Sequence, residues 1–170
     1  MKAAVRLYRF LRGWRWWRIK FRAWRNGSTL KIGTGSYILS PTVSVSIAPG
    51  ATLILGNDVC LRRYTTISVL ERIEIGDDTL IAEMVTIRDH DHVVSNNPSI
   101  PHRKAGFVKA PIVLGKNVWI GNKVTVTKGV RIGSNSVIAA NSVVTKDVPT
   151  NVIAGGTPAR IIKNITSEPV

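Results

Sequence analysis

From Leu114 onward an aliphatic residue returns at every sixth position: Leu114, Ile120, Val126, Ile132, Ile138 and Val144. The next residue is usually small, as at Gly115, Gly121, Gly133 and Ala139. Four positions after each aliphatic stands Val118, Val124, Val130, Ser136, Ser142 or Val148, all small or β-branched. The same spacing recurs less regularly at Leu55-Gly56, Leu61 and Ile67, and again at Ile75-Gly76, Ile81-Ala82 and Ile87. Fragments at Ile32-Gly33, Ile38 and Ile47-Ala48 carry it towards the N-terminus. A period of six fits neither a helix nor the simple alternation of an ordinary strand. It predicts short strands that turn a corner every six residues, three corners closing a triangular coil. Each aliphatic residue then points inward and stacks on its equivalent in the next coil. A sandwich of Val-rich strands is the rival architecture, and it does not produce this period.

A different pattern occupies the first 25 residues. Positions 3, 7, 10, 14, 17, 21 and 24 are Ala, Leu, Phe, Trp, Trp, Phe and Trp, whose alternating spacing of four and three makes one apolar stripe of a helix. The chain thus divides into an amphipathic helix at 1–26, a coiled column at 27–163 and a tail at 164–170. The column breaks at 88–111, a polar stretch with three prolines that reads as an excursion rather than strand. Asp147-Val-Pro149 ends the strict repeat, because proline cannot donate to a strand ladder. Thr157 and Pro158 read as the cap and first residue of a short C-terminal helix running to about Lys163.

Composition supports one globular β-rich domain: 44% of residues are hydrophobic and only 6% aromatic, with Val, Ile and Leu dominating. The lone Cys60 excludes an internal disulfide, and no run of about 18 apolar residues offers a membrane span. The basic start lacks the continuous apolar stretch of a secretion signal, so a cytoplasmic location is expected. Net charge is +14, and nine of the 24 basic residues lie in residues 2–25, where there is no acid. That distribution makes the helix a candidate for an anionic membrane surface, with packing on the column as the rival reading. Nucleic-acid binding is disfavoured, because an ordered apolar stripe suits a surface better than a strand.

The hexapeptide pattern over residues 30–163 resembles the left-handed β-helix acyltransferases. That resemblance implies an all-β, left-handed parallel β-helix, acetyl-CoA as co-substrate, no resident metal and a homotrimer with the cofactor cleft between subunits. All three histidines, His90, His92 and His102, fall in the excursion. Residues 75–92 (Ile-Gly-Asp-Asp-Thr-Leu-Ile-Ala-Glu-Met-Val-Thr-Ile-Arg-Asp-His-Asp-His) resemble the sugar and galactoside O-acetyltransferase segment that ends in the catalytic histidine. In that register His92 is the general base and His90 the second candidate. Imidazole suits the task, since a sugar hydroxyl must lose its proton as it attacks a thioester. Asp89 and Asp91 are candidates to orient the ring or meet the acceptor. Arg62 and Tyr64 stand where galactoside enzymes carry asparagines, which moves the acceptor away from a simple galactoside. Trp119-Ile-Gly-Asn122, Ala139-Ala-Asn-Ser-Val-Val-Thr-Lys146 and Gly155-Gly-Thr-Pro-Ala-Arg160 resemble the acetyl-CoA half of the family. By position, Trp119 walls the acetyl channel or packs at a corner, and Asn122 and Ala140 meet the pantetheine arm. Thr145 and Lys146 then lie further along it, and Arg160 or Lys163 near the nucleotide phosphates.

The expected activity is acetyl transfer to a carbohydrate hydroxyl, lipid-linked or cell-surface if the helix works at the inner face of a membrane. Amino-sugar N-acetylation uses the same donor site and stays open. A zinc carbonic anhydrase also occurs on this column, but three histidines in one excursion do not resemble its dispersed ligands. A non-enzymatic membrane-surface module is the remaining alternative.

Overall fold

A computed structural model describes residues 16–166. The six-residue period becomes a triangular column with three parallel faces. Face A stacks β1 (Thr29–Ile32), β4 (Thr52–Leu55), β7 (Arg72–Ile75), β12 (Ile112–Leu114) and β15 (Arg131–Ile132). Face B stacks β2 (Tyr37–Ile38), β5 (Cys60–Leu61), β8 (Leu80–Ile81), β13 (Trp119–Ile120), β16 (Val137–Ile138) and β18 (Val152–Gly156), with β19 (Ala159–Asn164) closing its upper edge. Face C stacks β3 (Ser44–Ile47), β6 (Thr66–Val69), β9 (Thr86–Arg88), β14 (Thr125–Val126) and β17 (Val143–Val144).

Inward side chains stack in register, as the period requires. On face B the file runs Ile38, Leu61, Ile81, Ile120, Ile138 and Ala154. Its members from Leu61 to Ile138 have no exposed surface. Ile120 and Ile138 are 18 apart, as expected, but the spacing shortens to 16 between Ile138 and Ala154 and lengthens to 20 and 23 in the lower coils, where the corners are longer. Backbones approach so closely at the corners that a side chain at Gly76 would place its Cβ 2.5 Å from the Gly115 carbonyl oxygen.

Three expectations change. The excursion is not strand-free: β10 (His90–His92) pairs antiparallel with β11 (Phe107–Lys109), so a hairpin carries the histidines out from the end of β9. No helix follows Thr157 among the described residues. Gly156 turns the chain at φ 105°, Thr157–Pro158 form the turn, and residues 159–164 return antiparallel along β18. The outer edge of the last coil strand would otherwise leave its N–H and C=O groups unpaired, and that pairing outweighs the capping signal.

The third change concerns the N-terminal helix, α1 (residues 16–25). It packs on the first coil through Trp16 and Ala23, 6% and 3% exposed, with Ile19 against the core. Trp16 is not one of the stripe positions, yet its ring nitrogen donates to the Ser36 carbonyl at 3.3 Å. The stripe residues Trp17, Phe21 and Trp24 face outward, 59%, 47% and 76% exposed. Packing on the column therefore does not account for this part of the stripe; its earlier positions, 3 to 14, lie outside the described residues.

Candidate active site

The outer surface of face B is apolar where the other faces are largely polar. Leu80, Trp119 and Val137 stand in register along it, and Leu80 and Trp119 are exposed. At the corner between faces B and C the residues that first follow β8, β13 and β16 are small: Ala82, Gly121 and the pair Ala139-Ala140. Gly121 is forced by space, since its Cβ would sit 2.8 Å from the Ala140 nitrogen and the Ile138 oxygen. Wide side chains on the face and small ones at the corner leave a cleft of about 460 Å³. Arg62, Trp119, Asn122 and Ala140 all line it. Three predicted donor residues and one predicted acceptor residue therefore meet in one place, and Trp119 forms a wall rather than a corner packing.

Arg62 is held in this cleft by Glu83, Nε to Oε1 3.0 Å. The N–H of Glu83 itself, then the Arg62 guanidinium, keep the Glu83 carboxyl below the usual carboxylate range. The pair is therefore charged at neutral pH. Glu83 was not singled out from the sequence, because a partner one coil away shows only once the lower coils' longer repeat is known. A second cavity of about 420 Å³, lined by Leu39, Ser40, Arg62 and Arg63, continues down the same corner and shares Arg62.

Other predicted donor residues lie elsewhere. Thr145 and Lys146 follow β17 on face C and are exposed, outside this cleft. Arg160 and Lys163 belong to β19, above the cleft on the same face, and both are exposed.

The histidines sit at a different corner. Asp89 ends face C with no exposed surface. Its carboxylate accepts the backbone N–H groups of Leu70, Glu71 and Arg72 at 2.9, 2.8 and 2.8 Å. It also meets His90 Nδ1 at 2.9 Å. Asp89 cannot touch an acceptor, so that expectation is corrected: it is a buried clamp that binds the corner of the coil below and fixes His90. His90 is itself buried, 8% exposed. His92 is exposed, with its ring 4.5 Å from that of Phe107, which in turn meets the edge of His90 at 5.5 Å. Phe107 thus bridges the two histidines, a link that only the hairpin pairing reveals. Asp91 points away to Lys128, 2.6 Å from its ammonium. Among the described residues no group of three His, Cys, Asp or Glu is placed to hold a metal ion.

Known proteins with this pattern are consistent. The family described as Bacterial transferase hexapeptide (six repeats) matches residues 111–146. Galactoside O-acetyltransferase of Escherichia coli K12 is 38% identical over 135 residues, covering 79% of this chain and 63% of its own. A putative lipopolysaccharide biosynthesis O-acetyl transferase of the same strain is 37% identical, covering 68% and 62%. The chain thus spans somewhat under two thirds of these curated relatives. Among solved structures, a hexapeptide-repeat acetyltransferase of Vibrio cholerae complexed with acetyl-coenzyme A superposes with a TM-score of 0.70 at 33% identity, covering 81% of this chain and 72% of that one. A galactoside acetyltransferase in complex with coenzyme A gives 0.67 at 37% identity, covering 80% and 65%. With its period, its faces and its cleft in agreement, the chain belongs to the hexapeptide-repeat acetyltransferase family and has that family's left-handed parallel β-helix.

Proposed function

We propose that this protein transfers an acetyl group from acetyl-CoA to a hydroxyl of a carbohydrate, with His92 as general base. The observation that carries the reading is the cleft where Trp119, Asn122 and Ala140 meet Arg62, on a fold whose relatives are crystallised with coenzyme A or acetyl-CoA. His92 removes the hydroxyl proton as the oxygen attacks the thioester carbonyl. The new C–O bond forms, the C–S bond breaks, and the coenzyme A thiolate leaves and takes up the proton. His90 is the poorer base, because Asp89 holds its Nδ1 and its ring is buried.

The cleft opens at the B–C corner, while the histidines leave from the far end of face C. This separation within one chain supports a site completed between subunits of a homotrimer. Among the described residues no helix is long and apolar enough to cross a membrane. Instead, Trp17, Phe21 and Trp24 form an exposed row with ring separations of 5.8 and 6.0 Å, beside Arg18, Lys20, Arg22 and Arg25. We assign that row to an anionic membrane surface, which places the acceptor among lipid-linked or cell-surface glycans.

Acetyl-CoA turnover against a panel of sugars, amino sugars and lipid-linked oligosaccharides tests the reading. His92→Ala is expected to lower kcat by about 10²–10⁴-fold while leaving acetyl-CoA affinity unchanged. Full turnover in His92→Ala, with loss in His90→Gln, would move the base to His90.

A further inference from the structure

Two corners of the column place non-glycine residues in the left-handed backbone region, and they fill it differently. Along the corner from face A to face B the residues are Asp58, Asp78, Asn117, Asn135 and Asn151, with φ between 52° and 59°. Asp and Asn tolerate this conformation best among residues with a side chain. Here the asparagines also bond one another, Asn117 to Asn135 and Asn135 to Asn151, at 3.1 and 3.0 Å. Along the corner from face B to face C the equivalent positions hold Tyr64, Met84 and Lys123, with φ of 59°, 60° and 59°, before Asn141 at 61°.

The backbone task is the same at both corners. Met84 donates to the Arg63 carbonyl and Lys123 to that of Glu83, each at 2.9 Å. Asn117 and Asn135 make equivalent bonds to Asp77 and Lys116, at 2.8 and 2.9 Å. Folding alone therefore gives no reason for bulky residues at one corner only. Strain retained without a structural return points to a use for the side chain. The affected corner is the one that bears the donor cleft and, below it, the cavity that shares Arg62. Tyr64 follows Arg63 of that cavity, and Met84 follows Glu83 of the cleft. Tyr64 and Met84 are 55% and 49% exposed, one coil apart. The Tyr64 hydroxyl makes no hydrogen bond among the described residues.

We propose that Tyr64 and Met84 form the platform on which the acceptor's pyranose ring lies, its apolar C–H face against the aromatic ring and thioether. Arg62 and Arg63 then face its polar edge from the cavity below. The platform rests on the carbohydrate reading, and it makes these two residues determinants of acceptor choice obtained at the expense of stability. A ring presented here lies directly below the donor cleft along one edge.

Tyr64→Asn and Met84→Asn restore the residue type that the other corner uses. Each is expected to raise the thermal unfolding midpoint by about 2–4 °C. Each should also raise the KM for the best-used glycoside among maltose, methyl galactoside, methyl glucoside and N-acetylglucosamine by about tenfold, with the KM for acetyl-CoA unchanged. Tyr64→Phe keeps the ring and should keep the acceptor KM. Saturation-transfer NMR with the same sugars on the coenzyme A-bound protein reads binding apart from turnover; signals should weaken in Tyr64→Asn and persist in Tyr64→Phe. A higher midpoint with unchanged acceptor KM and NMR signal would overturn the platform. So would a change of sedimentation in Tyr64→Asn, which would assign the residue to contact between copies of the chain. Absence of turnover and of saturation with every one of these sugars and with lipid-linked oligosaccharides, while coenzyme A still binds, would remove the carbohydrate reading and the platform with it.

Discussion

Asp89 accepts four hydrogen bonds while lying wholly out of water, three of them from consecutive backbone N–H groups. A buried carboxylate is tolerated only when its oxygens are this fully engaged. Asparagine has a single acceptor oxygen and would turn an NH₂ group towards donors that need acceptors. Asp89→Asn should therefore cost about 3 kcal/mol in urea denaturation, and it should also loosen the hairpin that carries His92. A loss below about 0.5 kcal/mol would show that the clamp is dispensable. The chain sequence offers Asp89 only as a carboxylate beside two histidines, because its partners stand 17 to 19 residues earlier and contribute backbone, which has no residue signature. Trp119, Asn122 and Ala140 were legible for another reason: they lie in sequence segments that resemble the family's donor half, and they line one cleft.

At the scale of the element, the six-residue period transmits almost everything, because each strand has one neighbour above and one below. The inward file of face B follows from the sequence once the repeat is seen. What the period does not carry are segments that leave it. The hairpin of β10 and β11 and the return of β19 depend on edges offered by other strands, and local residue preferences do not report them. The same dependence on neighbours makes the corners intolerant. Gly76→Ala would drive a methyl group to 2.5–2.8 Å from the backbone of Gly115 and Lys116, so two coils must separate. The expected loss is about 1–3 kcal/mol, read as an earlier urea midpoint, whereas a midpoint like that of the parent would mean that the corner relaxes freely.

For the whole molecule, α1 adds an exposed aromatic row with four basic residues beside it to the lower end of the column. α1 is fixed to the first coil through Trp16 and Ala23, so its outward aromatic row is presented by a rigid body. In a homotrimer three such rows would share one side, and their combined binding would exceed that of a single helix. Flotation with anionic vesicles should carry the protein upward, and Trp17→Ser with Phe21→Ser and Trp24→Ser should leave it at the bottom without changing its unfolding midpoint. Flotation that survives the triple change would assign the contact to another part of the chain. The place of α1 has another consequence. A stack of identical coils has no intrinsic reason to stop, and its bare ends are templates for end-to-end growth into fibres. Here the lowest coil is partly covered by a helix packed against it through Trp16 and Ile19, and the upper end is finished by a strand running against the rest. The column is thus given a finite length by two different stoppers, and a chain shortened past Trp16 and Ala23 would lose the lower one.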